Sequence, residues 1–234
     1  MSKIYIVGTP IGNFKDITLR ALETLKKVDA IACEDTRVTS NLLSHFDIQK
    51  KLYPYNKFNE KASSKGLIDL IIKNNYDIAL VSDAGMPLVS DPGFDLIKEA
   101  RLNNIEIELI PGVNAAISAF ALSGLSNTFI FHGFPKEKSG QRLKQIENLD
   151  DENAHVFYVS PHKFDLLVQD IQTVWNDKAQ IFLARELTKM HETHYLGTPT
   201  EIIEQLNNTS KKGEYTLVLK ITKEKKEKVN KYKS

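Results

Sequence analysis

Short apolar runs rich in β-branched residues alternate with stretches of helical periodicity along the first half of the chain. Runs 3–8 (KIYIVG), 30–33 (AIAC), 77–82 (DIALVS) and 105–110 (IEIELI) have the length and content of strands. Between them, 16–28 puts Leu19, Leu22 and Leu25 at helical spacing with Asp16 available as a cap, and 60–75 and 93–104 repeat the pattern. Such alternation predicts βα units and a mostly parallel sheet. Residues 111–125 open as a turn and continue as a helix of small residues.

Beyond that helix the texture changes. Strand-like runs at 128–134, 153–160, 179–187 and 213–222 are joined by helical stretches near 139–149, 161–174 and 199–207. The change predicts a boundary near 112–118, and we divide the chain into α/β domains at 1–114 and 115–222 with a tail at 223–234. From Lys220 onward that end of the chain carries seven lysines against two glutamates and reads as a solvated extension. No internal repeat is visible.

Composition narrows the class. The chain has 234 residues, 41% hydrophobic and 26% charged, enough apolar content for packed cores. A formal net charge of +1 makes no global field for a nucleic acid. Cys33 is the single cysteine, which excludes a disulfide framework and a CxxC metal knuckle. The start MSKIYIVG is too short and polar for a signal peptide, and no run approaches the ~20 apolar residues that span a bilayer. The expectation is a cytoplasmic protein.

The chemistry concentrates where strands end. In a parallel sheet the βα loops leave from one edge, so unusual loops there gather on one rim. Four qualify: GTPIGN (8–13), EDTR (34–37), SDAGMPLVSDPG (82–93) and PGVNAA (111–116). The third packs two Ser-Asp pairs, two glycines and two prolines into twelve positions, a composition that fixes backbone around a carboxylate. GTPIG is not GxGxxG, and neither a P-loop nor a GxSxG elbow occurs. His191 and His194 lack the further ligands of a metal set, and Cys33 reads as a small buried strand residue. Small side chains, close backbone and Asp83 suit a nucleoside-bearing cofactor.

Five blocks in order, YIVGTPIGNFKDITLRAL (5–22), ACEDTR (32–37), SDAGMPLVSDPG, PGVNAAISA (111–119) and ARELTK (184–189), resemble the tetrapyrrole methylase superfamily of S-adenosylmethionine-dependent enzymes. Within it they resemble the bacterial branch that 2′-O-methylates the ribose of a cytidine in 16S ribosomal RNA. The resemblance runs from Lys3 to about Thr222. It implies two α/β domains with the cofactor in the cleft between them, a homodimer, and a decoding-region cytidine of the 30S subunit as substrate. It also implies cofactor contacts from Pro10, Ser82, Asp83, Leu88, Asn114 and Ala115, with Val159 and Leu187 from the second half. Departures from the family pattern are Met86 for Thr, Val113-Asn114 for Pro-Ser, and YVSPHK for YESPHR. The last leaves Val159 unable to act as acid or base. Many relatives also carry an extra C-terminal helical segment where this chain has its lysine-rich tail.

A ribose hydroxyl is a poor nucleophile that a base within hydrogen-bond reach would help, and placement beside the activated methyl should supply much of the rate. Glu34, Asp35, Arg37, Arg185, Glu186 and Lys189 are the candidates by type and location, and an interdomain ion-pair cluster is the competing structural reading. Phosphate contacts are expected from Lys136, Lys138, Arg142 and Lys144. Besides the RNA methyltransferase, a non-catalytic RNA-binding or assembly module of the same fold and a methylase of small tetrapyrroles are the alternatives.

Overall fold

The computed structural model describes residues 2–207 and 212–222; the tail at 223–234 lies outside the described residues. The described residues form two compact units, one running to 118 and including 187–190, the other covering 119–186 and continuing from 191.

The first unit is a five-stranded sheet in the order β3-β2-β4-β1-β5, built from β1 (Lys3–Val7), β2 (Ala30–Cys33), β3 (Lys51–Pro54), β4 (Ile78–Val81) and β5 (Glu106–Ile110). Every pairing is parallel. β2 and β4 are buried at all four positions, as expected for strands covered on both faces. Alternate side chains serve two cores. Tyr5, Val7, Ile31, Cys33 and Val81 pack with Ala21 and Leu25 of α1 (Leu19–Lys27) and Leu43 of α2 (Thr36–His45). Ile4, Ala32, Ile78 and Leu80 meet Leu67 and Ile71 of α3 (Glu60–Asn74) and Leu96 of α4 (Phe94–Leu102).

Three local expectations change here. Asp16 does not cap a helix over 16–28; it closes a 3₁₀ turn (Phe14–Asp16), and Thr18 caps α1 by accepting from the Ala21 N–H at 3.0 Å. EDTR is not simply a loop, because Asp35 is the N-cap of α2. That helix is hard to see in a sequence rich in Ser, Thr and Asn, which compete for the backbone as isolated residues. β3 is a four-residue edge strand ending in Pro54, short and partly exposed, so it offers no apolar run to detect.

The second unit is a sheet in the order β6-β7-β10-β8-β9, from β6 (Phe129–Gly133), β7 (Ala154–Val159), β8 (Ala179–Arg185), β9 (Thr193–Gly197) and β10 (Tyr215–Ile221). Only β6 and β7 run parallel; the other pairings are antiparallel. α6 (Ser139–Glu147), α7 (Pro161–Trp175) and α8 (Pro199–Asn207) supply the helices. Pro161 starts α7, whose Phe164, Leu167, Val168 and Ile171 recur on one face and bury against Phe157, Leu183 and Leu217. Edge strand β9 is the other element the sequence pattern misses. α5 (Ala115–Ser123) joins the two units along the chain.

Candidate functional site

Backbone packing gathers three of the four loops on the carboxyl edge of the first sheet. Thr9 and Gly85 exchange hydrogen bonds at 2.8 and 3.1 Å, and the Thr9 hydroxyl donates to the Ser82 carbonyl at 3.2 Å. Gly8 and Gly112 lie so close that a Cβ on Gly8 would stand 2.6 Å from the Gly112 nitrogen, so neither position admits a side chain. Met86, one of the departures from the family pattern, sets its Sδ 3.3 Å from the Gly112 N–H. The fourth loop joins through a carboxylate: Asp83 Oδ1 accepts from the Asp35 N–H at 2.9 Å.

The 82–93 loop is held by its surroundings. Leu88 and Ser90 adopt φ of 69° and 72°, a left-handed conformation unfavourable to side-chain-bearing residues. Its far end is anchored by Glu60, the first residue of α3, whose Oε1 accepts from the Gly93 N–H at 2.9 Å, the Asp95 N–H at 3.1 Å and the Tyr55 hydroxyl at 3.0 Å. Gly93 cannot cap α4 with a side chain, so Glu60 caps it from another helix. These backbone bonds hold the Glu60 carboxyl below its usual range despite burial.

A recess of about 60 Å³ lies among Thr9, Pro10, Phe14, Val38, Thr39, Asn41, Leu42, Ser82 and Asp83. Three predicted contacts, Pro10, Ser82 and Asp83, line it. A carboxylate, hydroxyls and close backbone suit a ribose, and the volume takes one part of a nucleoside ligand. Leu88 packs against the core near Gly93. The Asn114 Oδ1 accepts from the Ala116 and Ile117 N–H groups at 2.9 and 3.2 Å, capping α5, which Ala115 begins. Leu187 is buried and, with Thr188 and Lys189, packs over Gly12, so this segment belongs to the first unit although β8 before it belongs to the second. Val159 is buried in the second unit's core.

The charged candidates part company. Asp35 holds Arg37 through both oxygens, at 2.5 Å and 3.0 Å, and that guanidinium pulls its carboxyl down to about 2. Glu34 goes the other way: burial raises its pKa, with the Asp83 charge adding to it. Asp83 is likewise raised, chiefly by burial. Arg185 Nε donates to the Lys212 carbonyl at 2.8 Å, and Glu186 Oε1 accepts from the Glu214 N–H at 2.8 Å, so both hold a neighbouring segment of the second unit.

One residue the sequence reading passed over joins this group. Asp91, in the second Ser-Asp pair of the 82–93 loop, is pushed up to about 6 by burial first and by the Glu34 charge second. The repeated Ser-Asp was the only sequence signal. Arg142 requires a correction. It is 5% exposed and its Nε donates to Asp170 at 2.5 Å, so it is a buried structural partner rather than a phosphate contact, while Lys136, Lys138 and Lys144 are exposed.

A parallel sheet with such a loop cluster on its carboxyl edge, followed by a mixed sheet, is the architecture of one methylase class. The chain belongs to the tetrapyrrole (corrin/porphyrin) methylases, whose family model matches residues 3–203. Within that family it is 51% identical to the ribosomal RNA small subunit methyltransferase I of Mycoplasmopsis pulmonis, over 93% of this chain and 97% of the relative. The protein of the same name from Thermotoga maritima is 43% identical over 94% of this chain and 98% of its own length. In fold the chain is similar to uroporphyrin-III-C-methyltransferase from Thermus thermophilus, with a TM-score of 0.69, 19% identity, and coverage of 93% and 94%. A structure of uroporphyrin-III C-methyltransferase from that organism, complexed with S-adenosyl homocysteine, aligns with a TM-score of 0.65 at 15% identity, covering 93% and 97%.

Proposed function

We propose that the protein is an S-adenosylmethionine-dependent methyltransferase acting on 16S ribosomal RNA, with the ribose 2′-hydroxyl of a decoding-region cytidine in the 30S subunit as acceptor. The relatives named for small-subunit rRNA methylation support the substrate class. The observation that carries the reading is the meeting of Glu34, Asp83 and Asp91 beside a recess walled by Thr9, Pro10 and Ser82.

The residues present fit the cofactor. Asp83 offers a carboxylate to ribose hydroxyls, and the tightly packed Gly8, Gly85 and Gly112 backbone leaves no side chain to block it. When bound, the cofactor supplies an already activated methyl group. The remaining tasks belong to the chain: orient the acceptor oxygen and accept its proton. Asp35, ionised and held by Arg37, is a weak base and a positioning group. Burial raises the Glu34 carboxyl and pushes Asp91 up to about 6, which suits proton acceptance. Arg37 is exposed enough to meet a phosphate. Lys189 remains a candidate through its place over Gly12.

The test is transfer of labelled methyl from S-adenosylmethionine to unmethylated 30S subunits, followed by nucleoside analysis. Label in 2′-O-methylcytidine is the expected result. Label on a base refutes the acceptor, and cofactor binding without transfer favours a non-catalytic module. Methylation of a tetrapyrrole instead of 30S overturns the substrate class.

A homodimer also belongs to this proposal. α5 is apolar nearly all round, the pattern of an enclosed helix, yet Ile117 and Leu122 are 59% and 51% exposed. Light scattering should give twice the 26.5 kDa chain mass. A mass of one chain at micromolar concentration refutes it.

A further inference from the structure

The most exposed apolar side chain among the described residues is Phe58, at 101%. It is not on a loose loop. The Asn56 Oδ1 accepts from the Phe58 N–H at 3.0 Å, the Asn59 Oδ1 accepts from the Asn56 N–H at 2.8 Å, and the Asn59 side-chain amide donates to the Pro54 carbonyl at 3.2 Å. Two asparagines thus brace a turn whose tip is a bare phenyl ring. Holding such a ring in water opposes the hydrophobic effect, and here the braced turn fixes its backbone in that setting.

The position and the charge around the ring define that partner. The turn follows β3 on the carboxyl edge of the parallel sheet, the edge that carries Glu34, Asp83 and Asp91. It is tied to the 82–93 loop two residues later, because Glu60 binds Gly93 and Asp95. Lys57, the residue before Phe58, is close enough to favour the ionised forms of both Glu34 and Asp91. Lys61 and Lys65 stand one turn apart on α3, both exposed. An exposed aromatic ring, with one lysine before it in the chain and two exposed on the helix that follows, matches the requirements of a single-stranded nucleic acid: a ring on which an unstacked base lies and cations that follow its phosphates. A protein surface would need no such run of like charge, and an anionic membrane would need a broader apolar face than one ring.

We infer that Phe58 is a stacking platform for an unpaired base of the rRNA substrate near the acceptor nucleotide, with Lys57, Lys61 and Lys65 contacting its phosphates. The inference rests on the rRNA methyltransferase reading and names a substrate-recognition element of that same rim. It also explains how a chain with a net charge of +1 grips RNA: the positive charge is local.

The experiment is steady-state methyl transfer to unmethylated 30S subunits by wild type, Phe58→Ala and Phe58→Trp, with cofactor affinity and melting temperature measured alongside. Base–aromatic stacking contributes about 1–3 kcal/mol. Phe58→Ala should therefore raise the KM for 30S about tenfold, leaving kcat, cofactor affinity and melting temperature unchanged, and Phe58→Trp should restore the KM. Replacing Lys57, Lys61 and Lys65 with Gln should flatten the salt dependence of KM, by about 0.7 in log–log slope per lost phosphate contact. A photo-reactive phenylalanine analogue at position 58 should crosslink to 16S rRNA. An unchanged KM in Phe58→Ala, failure of Trp to restore it, or crosslinking only to ribosomal protein overturns the inference. Absence of transfer by the wild type overturns instead the proposed function on which it rests.

Discussion

Asp91→Asn separates stability from activity at one atom. The Asp91 carboxyl stands at about 6 against an ordinary value of 3.8, with burial the larger cause and the Glu34 charge the next. At 1.36 kcal/mol per pH unit the displacement corresponds to a ceiling near 3 kcal/mol. Partial solvent access screens it, which leaves on the order of 1–2 kcal/mol. The sign follows from proton uptake. Between pH 4 and 6 the folded protein holds a proton on Asp91 that the unfolded chain has released, so the wild type loses stability as pH rises through that window. Asn carries no such charge. The variant should match the wild type near pH 3.8 and exceed it above pH 6, with a gap of about 3–6 °C in melting temperature. Urea denaturation across this range checks the curve. If Asp91 accepts the acceptor proton or orients it beside Glu34, methyl transfer should fall at least a hundredfold in the same variant. A variant no more stable at pH 8 than at pH 4, relative to wild type, refutes the electrostatic reasoning; a more stable variant with full activity removes Asp91 from the chemistry.

Three further outcomes are expected. Asp83→Ala should bind S-adenosylmethionine at least several-fold more weakly by titration calorimetry, since a bond to a charged acceptor contributes about 1.5–3 kcal/mol; equal affinity removes Asp83 from the site. Glu60→Ala strips acceptors from Gly93, Asp95 and Tyr55 at once and should cost about 2–3 kcal/mol, seen as a melting temperature lower by about 4–10 °C, with an unchanged value counting against Glu60 as the cap of α4. His132 is held down to about 4 by burial and by His155, so the fold loses stability as pH falls from 6.5 to 4 while the unfolded chain takes up that proton; His132→Phe should remove that part of the acid dependence in urea titrations.

The sequence made the fold class legible because its signals were strong and local. β2 and β4 are unbroken apolar runs, and α7 repeats Phe164, Leu167, Val168 and Ile171 at helical spacing. What it hid was edge and polar structure. β3 and β9 are short edge strands with partly exposed residues, and α2 is made of residues that favour caps and turns when read singly. The His132–His155 pair was also invisible, being 23 residues apart. There the Asp150 carbonyl can only accept, at 2.9 Å from His155 Nε2, so in the neutral ring His155 Nδ1 accepts the hydrogen bond that His132 Nε2–H donates at the same distance.

The candidate site shows why residue type at a rim is a poor guide to role. Glu34 and Asp35 are adjacent in the chain, and a sequence reading treats them alike. Asp35 begins a helix, so its carboxylate faces the Arg37 backbone and guanidinium and becomes a strong acid's anion. Glu34, one residue earlier, is still leaving buried β2 and faces Asp83 and Asp91. The helix boundary at Thr36 decides which carboxylate is clamped by Arg37 and which is left raised by burial. That boundary falls in the polar stretch where helical periodicity is weakest. Arg185, Glu186 and Asp35 are each engaged by local partners, whereas the Asp91 carboxyl is pushed up by burial and by the Glu34 charge, with a bond to Ser82 only partly offsetting them. A raised carboxyl in a buried loop lowers stability at neutral pH, and Asp91→Asn measures that loss and the activity of the site in one variant.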